Sequence, residues 1–294
     1  MTSSVTRAVI PAAGLGTRSL PATKAVPKEL LPVVDRPAIQ YTVAEAVAAG
    51  LDDIVIVSSE SKPAIEQHFL AAPEFERRLD AAGRTAEADR LRSIGAGAHI
   101  TVVHQPRPLG LGDAVATARA HVGPHPFAVL LPDQLLPTAP VTLTGLLDVH
   151  RATGRAVVAL QRVDPAEVVH YGCAAVDDEY ADPVTITDLV EKPEPAEAPS
   201  TLVLKGRYVC TPEVFDLLDG VGAGVGGERQ LSDVLAALAH VDGLRGRVCP
   251  EPSFDLGRPL HQLRAIVEVG LDHPELGADF AAALADIARR RGIE

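Results

Sequence analysis

Hydrophobic positions in the first half of the chain alternate between short aliphatic runs and stretches with helical spacing. Runs rich in Val, Ile, Leu and Ala predict strands at residues 5–10, 53–58, 99–104 and 127–131. Apolar residues three and four apart predict helices between them at residues 38–49, 62–70, 73–94 and 112–121. A helix at 143–153 and a strand at 156–161 continue the pattern. This alternation is typical of parallel strands joined by helical crossovers.

The second half of the chain has a different pattern. Three β segments, at residues 172–176, 184–190 and 201–209, are separated by turns rich in Pro and Asp, which predicts a mixed-sheet extension. Helices follow at residues 228–240, 259–271 and 278–290. Residues 193–199 are rich in Pro and Glu and predict an exposed loop that is too short to separate domains. We therefore expect one α/β domain over residues 1–294.

Composition narrows the class of protein. The net charge of −12 argues against general affinity for nucleic acid or an anionic membrane. Cys173, Cys210 and Cys249 lie far apart without CxxC spacing, which favours buried thiols over a disulfide framework or a zinc site. No stretch approaches the roughly 20 apolar residues that span a bilayer. We expect a soluble cytoplasmic protein.

The segment that follows the first predicted strand is the most informative one. It reads Pro-Ala-Ala-Gly-Leu-Gly-Thr-Arg from Pro11 to Arg18, with Lys24 and Lys28 downstream. Small residues after a strand leave backbone N–H groups uncovered, and such groups can bind phosphate oxygens. The glycine pattern alone is equally consistent with a tight turn. The GxxxxGK[ST] pattern is absent from the chain. The GxGxxG pattern fails because Ser19 stands at the position of the third glycine.

Residues 8–40 carry a more specific pattern, AVIPAAGLGTRSLPATKAVPKELLPVVDRPAIQ. This segment resembles the signature of the nucleotidylyltransferases that make nucleotide sugars, in particular bacterial UTP–glucose-1-phosphate uridylyltransferase, and further matches extend to the C-terminal helix. The resemblance implies a Rossmann-like, GT-A-like fold: a mostly parallel central sheet flanked by helices, with a smaller mixed β extension. It divides the domain into a nucleotide-binding half (about 1–165), a sugar-phosphate-binding half (about 166–260) and C-terminal helices (about 261–294).

The resemblance also implies which residues bind the nucleotide. These are, in chain order, Ala12, Ala13, Gly14, Gly16, Thr17, Gln105 and Gly110. An amide carries both a donor and an acceptor, so Gln105 can match the O4 and N3–H edge of uracil, which thymine shares. Arg18 and Lys28 would neutralise charge on the triphosphate. Asp133 in LLPDQ and Asp255 in FDLG would hold Mg²⁺, the implied cofactor.

The sugar phosphate is assigned, again by the resemblance, to Gly172, Glu191, Lys192 and Lys205. Glu191 would accept hydrogen bonds from sugar hydroxyls, and Lys192 would pair with the attacking phosphate. That phosphate is already ionised at neutral pH, so the reaction needs no protein nucleophile or general base. The implied reaction is in-line attack of glucose 1-phosphate on the α-phosphate of UTP, which gives UDP-glucose and pyrophosphate. A homodimer or homotetramer is also implied.

Three departures from the family pattern leave the substrates open. Lys205 replaces an aliphatic residue, Asp113 replaces a frequent His, and the residues just before Asp255 lack the usual Gly and basic residues. A sister enzyme that uses dTTP, another nucleotide or another sugar 1-phosphate is one alternative. A nucleotide-sugar-binding regulatory protein without turnover is a second. An NAD-dependent dehydrogenase is disfavoured by the missing third glycine.

Overall fold

The computed structural model describes residues 4–137, 140–220, 222 and 227–293. The strands are β1 Arg7–Pro11, β2 Pro32–Val33, β3 Arg36–Pro37, β4 Asp53–Ser58, β5 His99–His104, β6 Phe127–Leu130, β7 Gln134–Leu135, β8 Ala156–Arg162, β9 Gly172–Val176, β10 Val184–Glu191, β11 Leu202–Cys210, β12 Leu244–Val248 and β13 Phe254–Asp255. The helices are α1 Ala38–Ala48, α2 Pro63–Phe69, α3 Pro73–Ala81, α4 Thr85–Arg92, α5 Leu111–Thr117, α6 Arg119–Val122, α7 Val141–Thr153, α8 Glu213–Gly220, α9 Leu231–Ala239, α10 Pro259–Leu271 and α11 Gly277–Arg291.

Nine of these strands form one central sheet in the order β5-β4-β1-β6-β11-β8-β12-β10-β9. Strands β5, β4, β1 and β6 are parallel to one another. Strand β11 is antiparallel to both β6 and β8, and β10 is antiparallel to both β12 and β9. The predicted fold class, a largely parallel α/β sheet with a mixed extension, is confirmed.

The aliphatic runs form buried strands because helices cover both faces of the sheet. In β1, Ala8 and Ile10 pack with Ile39 of α1 in one hydrophobic cluster. Val9, which points to the other face, packs with Val115 of α5 in a second cluster. Successive side chains of a strand face opposite sides, so a strand between two helical layers needs apolar residues at every position.

Several element boundaries differ from the prediction. The single helix expected at residues 73–94 is two helices, α3 and α4, because Gly83 between them adopts a left-handed conformation with φ of 73°. The helix expected at 112–121 is likewise divided into α5 and α6, and α9 begins only at Leu231. Strand β12 was not predicted, since Leu-Arg-Gly-Arg-Val has only two large apolar residues, and α8 was not predicted either.

The predictions about the cysteines and about the Pro- and Glu-rich loop are confirmed by the described residues. The three cysteines are free and buried, and burial raises the pKa of Cys173 to about 11 and that of Cys210 to about 12. Residues 193–199 form neither helix nor strand, and residues 194–197 are exposed. Within the described part of the chain, no helix combines the length and the apolar character needed to cross a membrane.

Candidate active site

Two adjoining cavities lie where the loops after β1, β5 and β6 meet. The first, about 410 Å³, is lined by residues of the segment 11–18 that follows β1, called the phosphate loop below, together with Gln105 and Gly110. The second, about 720 Å³, is lined by residues of the mixed half of the sheet. Thr17, Lys28 and Asp133 line both cavities. The two cavities therefore form one cleft, with cations and carboxylates at their junction, at the edge where parallel sheets bind ligands.

Most of the predicted site residues line this cleft. The first cavity includes Ala13, Gly14, Gly16, Thr17, Lys28, Gln105, Gly110 and Asp133. The second includes Thr17, Arg18, Lys28, Asp133, Gly172, Glu191, Lys192 and Asp255. Residues from seven separate segments are thus gathered at one cleft. Lys24, in contrast, is exposed and makes no ion pair within the described ranges.

Gly16 and Gly14 of the phosphate loop are glycines for different structural reasons. Gly16 has a φ of 69°, a conformation that favours glycine, and an added Cβ would lie 3.2 Å from Cβ of Lys28. An added Cβ at Gly14 would meet no atom within 4 Å, so its backbone faces open space in the cleft. Ala12 is a correction: it does not line either cavity, and its N–H donates to the Val57 carbonyl.

A buried lysine that the sequence analysis missed holds this loop from behind. Nζ of Lys62 donates to the carbonyl oxygens of Ala12 and Gly14, at 2.8 and 2.5 Å, and to the carboxylate of Glu29 at 2.9 Å. Burial lowers the pKa of Lys62 and raises that of Glu29, while their mutual attraction opposes both shifts. Lys62 reads as an ordinary helix-start residue, so no local signal identifies it.

Two carboxylates and two cations meet at the junction of the cavities. Nζ of Lys28 donates to Asp133 at 2.5 Å, and the guanidinium of Arg18 lies 2.9 Å from Asp255 and 3.9 Å from Asp133. Burial acts to raise the pKa of Asp133, but the charges of Lys28 and Arg18 outweigh it and lower that pKa. Burial acts to lower the pKa of Lys28, and Asp133 and Glu29 reverse the shift.

The loop that carries Asp133 is fixed by a second buried ion pair. Arg207 of β11 forms two hydrogen bonds with the carboxylate of Glu45 in α1, at 2.7 and 2.9 Å. The same guanidinium donates to the carbonyl oxygens of Leu131 and Gln134, which lie on either side of Asp133. Arg207 is 1% exposed and Glu45 is 3% exposed. The pair therefore positions the backbone around Asp133, and the sequence alone did not reveal it.

Gln105 is a buried residue that lines the first cavity, and two acceptors define the orientation of its amide. Nε2 donates to a carboxylate oxygen of Asp113 at 2.8 Å and to the carbonyl oxygen of Gly110 at 3.3 Å. Oε1 has no hydrogen-bond partner among the described residues. The expectation that Gln105 offers both donor and acceptor to a base is corrected: the protein uses the donor, and only the acceptor is left for a ligand.

Gly172, Glu191 and Lys192 form one side of the second cavity. Nζ of Lys192 lies 3.0 Å from the carboxylate of Glu191, and the backbone N–H of Lys192 donates to the Tyr171 carbonyl. Lys192 has a φ of 48°, which is uncommon for a residue with a side chain. An added Cβ at Gly172 would lie 2.9 Å from Cδ1 of Leu204 and 3.2 Å from the carboxylate of Glu191, so a larger residue there would have to displace the Leu204 side chain.

Lys205 is the clearest correction among the site residues. Its neighbours Leu204 and Gly206 line the second cavity, but Lys205 does not. Its side chain is fully buried, and Nζ donates to the carbonyl oxygens of Cys249 and Glu251. Neighbouring residues of a strand point to opposite faces, so Lys205, which lies between Leu204 and Gly206, points away from the second cavity. Lys205 thus satisfies backbone carbonyls and does not reach the cleft.

Comparisons with known proteins agree with this geometry. Residues 7–265 match the family model described as nucleotidyl transferase. A protein of Bacillus subtilis named UTP–glucose-1-phosphate uridylyltransferase is 41% identical, with 100% of this chain and 99% of that protein covered. The UTP-bound UGPase structure from Acinetobacter baumannii is 35% identical with a TM-score of 0.88, covering 96% of this chain and 99% of that one. A UDP-glucose pyrophosphorylase structure complexed with UDP-glucose is 33% identical with a TM-score of 0.80, covering 89% and 97%.

Proposed function

This chain belongs to the nucleotidyl transferase family, and we propose that it joins UTP to glucose 1-phosphate, giving UDP-glucose and pyrophosphate. One observation carries the proposal: the phosphate-loop cavity and the Glu191–Lys192 cavity meet at Lys28 and Asp133. A nucleotide in the first cavity and a sugar phosphate in the second would bring their phosphates together at that junction. Nucleotidyl transfer needs this arrangement, because the attacking oxygen must lie in line with the bond that breaks.

The residues of the cleft act by binding and by electrostatics. Residues Ala13 to Thr17 of the phosphate loop offer uncovered backbone to the triphosphate. Lys28 and Arg18 supply positive charge where the α-phosphate and the departing pyrophosphate gain negative charge. Lys192 pairs with the phosphate of the sugar, whose ionised oxygen is the nucleophile. No residue of the chain has to remove a proton.

Asp133 and Asp255 are the residues that would hold Mg²⁺. Both carboxylates contact the guanidinium of Arg18, so the structure already places a positive charge between them. No cluster of three metal-binding side chains occurs among the described residues, so the substrate phosphates and water would have to complete the coordination. Two carboxylates with such oxygen ligands suit a small hard cation. The ion would polarise the α-phosphate and reduce repulsion between the two anionic substrates.

Pyrophosphate release with UTP, glucose 1-phosphate and Mg²⁺ tests the proposal. Asp133→Asn is expected to lower kcat by at least about a hundredfold, because it removes the charge at the junction and one ligand of the ion. Asp148→Asn is the matched control, since Asp148 is an exposed residue of α7 whose only ion pair among the described residues is with Arg151 on the same helix. Both variants should keep the unfolding transition of the wild type.

The outcome also separates the alternatives. Equal or better turnover with dTTP or with another sugar 1-phosphate would move the assignment to a sister enzyme. Binding of UDP-glucose without pyrophosphate release from any nucleotide would favour a regulatory protein instead. Near-normal activity of Asp133→Asn would contradict the role given to that carboxylate.

A further inference from the structure

Asp113 contacts Gln105, which lines the first cavity, but Asp113 itself lines neither cavity. It occupies the first turn of α5, and its carboxylate accepts a hydrogen bond from Nε2 of Gln105 at 2.8 Å. A second carboxylate oxygen lies 3.9 Å from the guanidinium of Arg229. The side chain of Asp113 is 18% exposed, so this contact is partly shielded from water.

Two acceptors fix the direction of the Gln105 amide. The carboxylate of Asp113 and the carbonyl oxygen of Gly110 both face Nε2. If the amide turned over, Oε1 would meet both oxygens at hydrogen-bond distance, and no proton would lie between them. Gln105 is only 4% exposed, so water cannot easily compensate for such a mismatch. Nε2 is therefore held on the protein side, and Oε1 is left for the base.

The backbone next to the Gln105 amide is closely packed against Arg229. The N–H of Arg229 donates to the Leu109 carbonyl at 2.7 Å, and the N–H of Gly112 donates to the Arg229 carbonyl at 2.9 Å. An added Cβ at Gly110 would lie 2.5 Å from the carbonyl oxygen of Arg229. These contacts hold the Gly110 carbonyl and the start of α5 in place. The two acceptors around Gln105 cannot easily move apart to admit the other amide orientation.

We propose that Asp113 is a positioning residue that sets the base specificity: by fixing Gln105 with its acceptor outward, it favours a pyrimidine that carries a hydrogen on N3 over one that does not. Uracil and thymine have N3–H and can donate to Oε1 of Gln105. Cytosine has an unprotonated N3, whose lone pair would face the same oxygen. The inference rests on the proposed function, because it assumes that the nucleotide base binds beside Gln105.

CTP is the most informative comparison for UTP, because the two nucleotides share ribose, triphosphate and ring size and differ at N3 and C4. Asp113→Asn keeps the shape of the side chain but can present its own NH₂ to residue 105. The Gln105 amide can then turn over and offer a donor to cytosine N3. We expect the ratio of UTP to CTP affinity, measured by calorimetry with Mg²⁺, to fall about tenfold or more.

A second variant covers the case in which Asp113→Asn does not fold. Asp113→Leu removes the stronger of the two acceptors, so only the longer contact to Gly110 would hold the amide, and the same fall in the ratio is expected. Asp148→Asn, remote from the cleft, should leave the ratio unchanged. Glucose 1-phosphate should retain its KM in both Asp113 variants, since a general loosening of the structure would alter both substrates.

The binding ratio keeps this inference separate from the proposed reaction. If either folded Asp113 variant keeps the wild-type preference for UTP over CTP, Asp113 does not determine the base. A wild-type protein that binds CTP as well as UTP would overturn the inference at once. Absence of pyrophosphate release from wild type would count against the proposed function alone, because calorimetry reads the base preference without turnover.

Discussion

Replacement of Arg207 by Met is expected to lower the free energy of unfolding by about 3–5 kcal/mol. The guanidinium makes two hydrogen bonds to Glu45 and three to backbone carbonyl oxygens, and both side chains are almost completely buried. Met fills a similar volume but leaves the Glu45 carboxylate unpaired in the protein interior. That unpaired charge is the main cost, because an isolated buried carboxylate loses its hydration without compensation.

Urea unfolding of Arg207→Met, of Glu45→Leu and of the double variant measures this cost. Each single variant should lose about 3–5 kcal/mol, and the double variant should lose clearly less than the sum, because it leaves no unpaired charge. Arg151→Met is the control: Arg151 forms an exposed ion pair with Asp148 one turn away, and its loss should cost below about 0.5 kcal/mol. Additive losses in the double variant would refute the reasoning.

Two further predictions concern the cleft. Lys62→Met should raise the KM for the nucleotide about tenfold, because Lys62 holds two carbonyls of the phosphate loop, while the KM for the sugar phosphate should change much less. Steady-state kinetics with each substrate varied in turn measures both constants. Equal changes in the two KM values would contradict this prediction. The pKa of Lys28 is raised from its ordinary 10.5, so its charge and its pairing with Asp133 persist below that value and are lost as the pH rises through the raised pKa. We therefore expect kcat/KM for the nucleotide to stay constant from about pH 7 to about pH 9. A decline centred at about pH 8 would show that another group controls the site.

The aliphatic runs and the signature of residues 8–40 were enough to predict the fold class. Motifs further along the chain that share the resemblance predicted Asp133 and the Glu191–Lys192 pair as site residues, and in the structure they line one cleft with the phosphate loop. Local sequence carries such information because a strand flanked by two helical layers must be apolar throughout, and because uncovered backbone at its end requires small residues.

Only the tertiary structure decided which polar residues support the cleft and which point away from it. Lys62 and Glu29 are 33 positions apart, and Arg207 and Glu45 are 162 apart, so no local spacing could pair them. Lys205 was predicted as a sugar-phosphate ligand because it precedes Gly-Arg-Tyr, close to where the resemblance implies the sugar site, yet it does not line the cleft and its Nζ donates to the Cys249 and Glu251 carbonyls. Burial and pairing of a charged side chain depend on the other elements that pack around it, and the chain folds those elements together from distant positions.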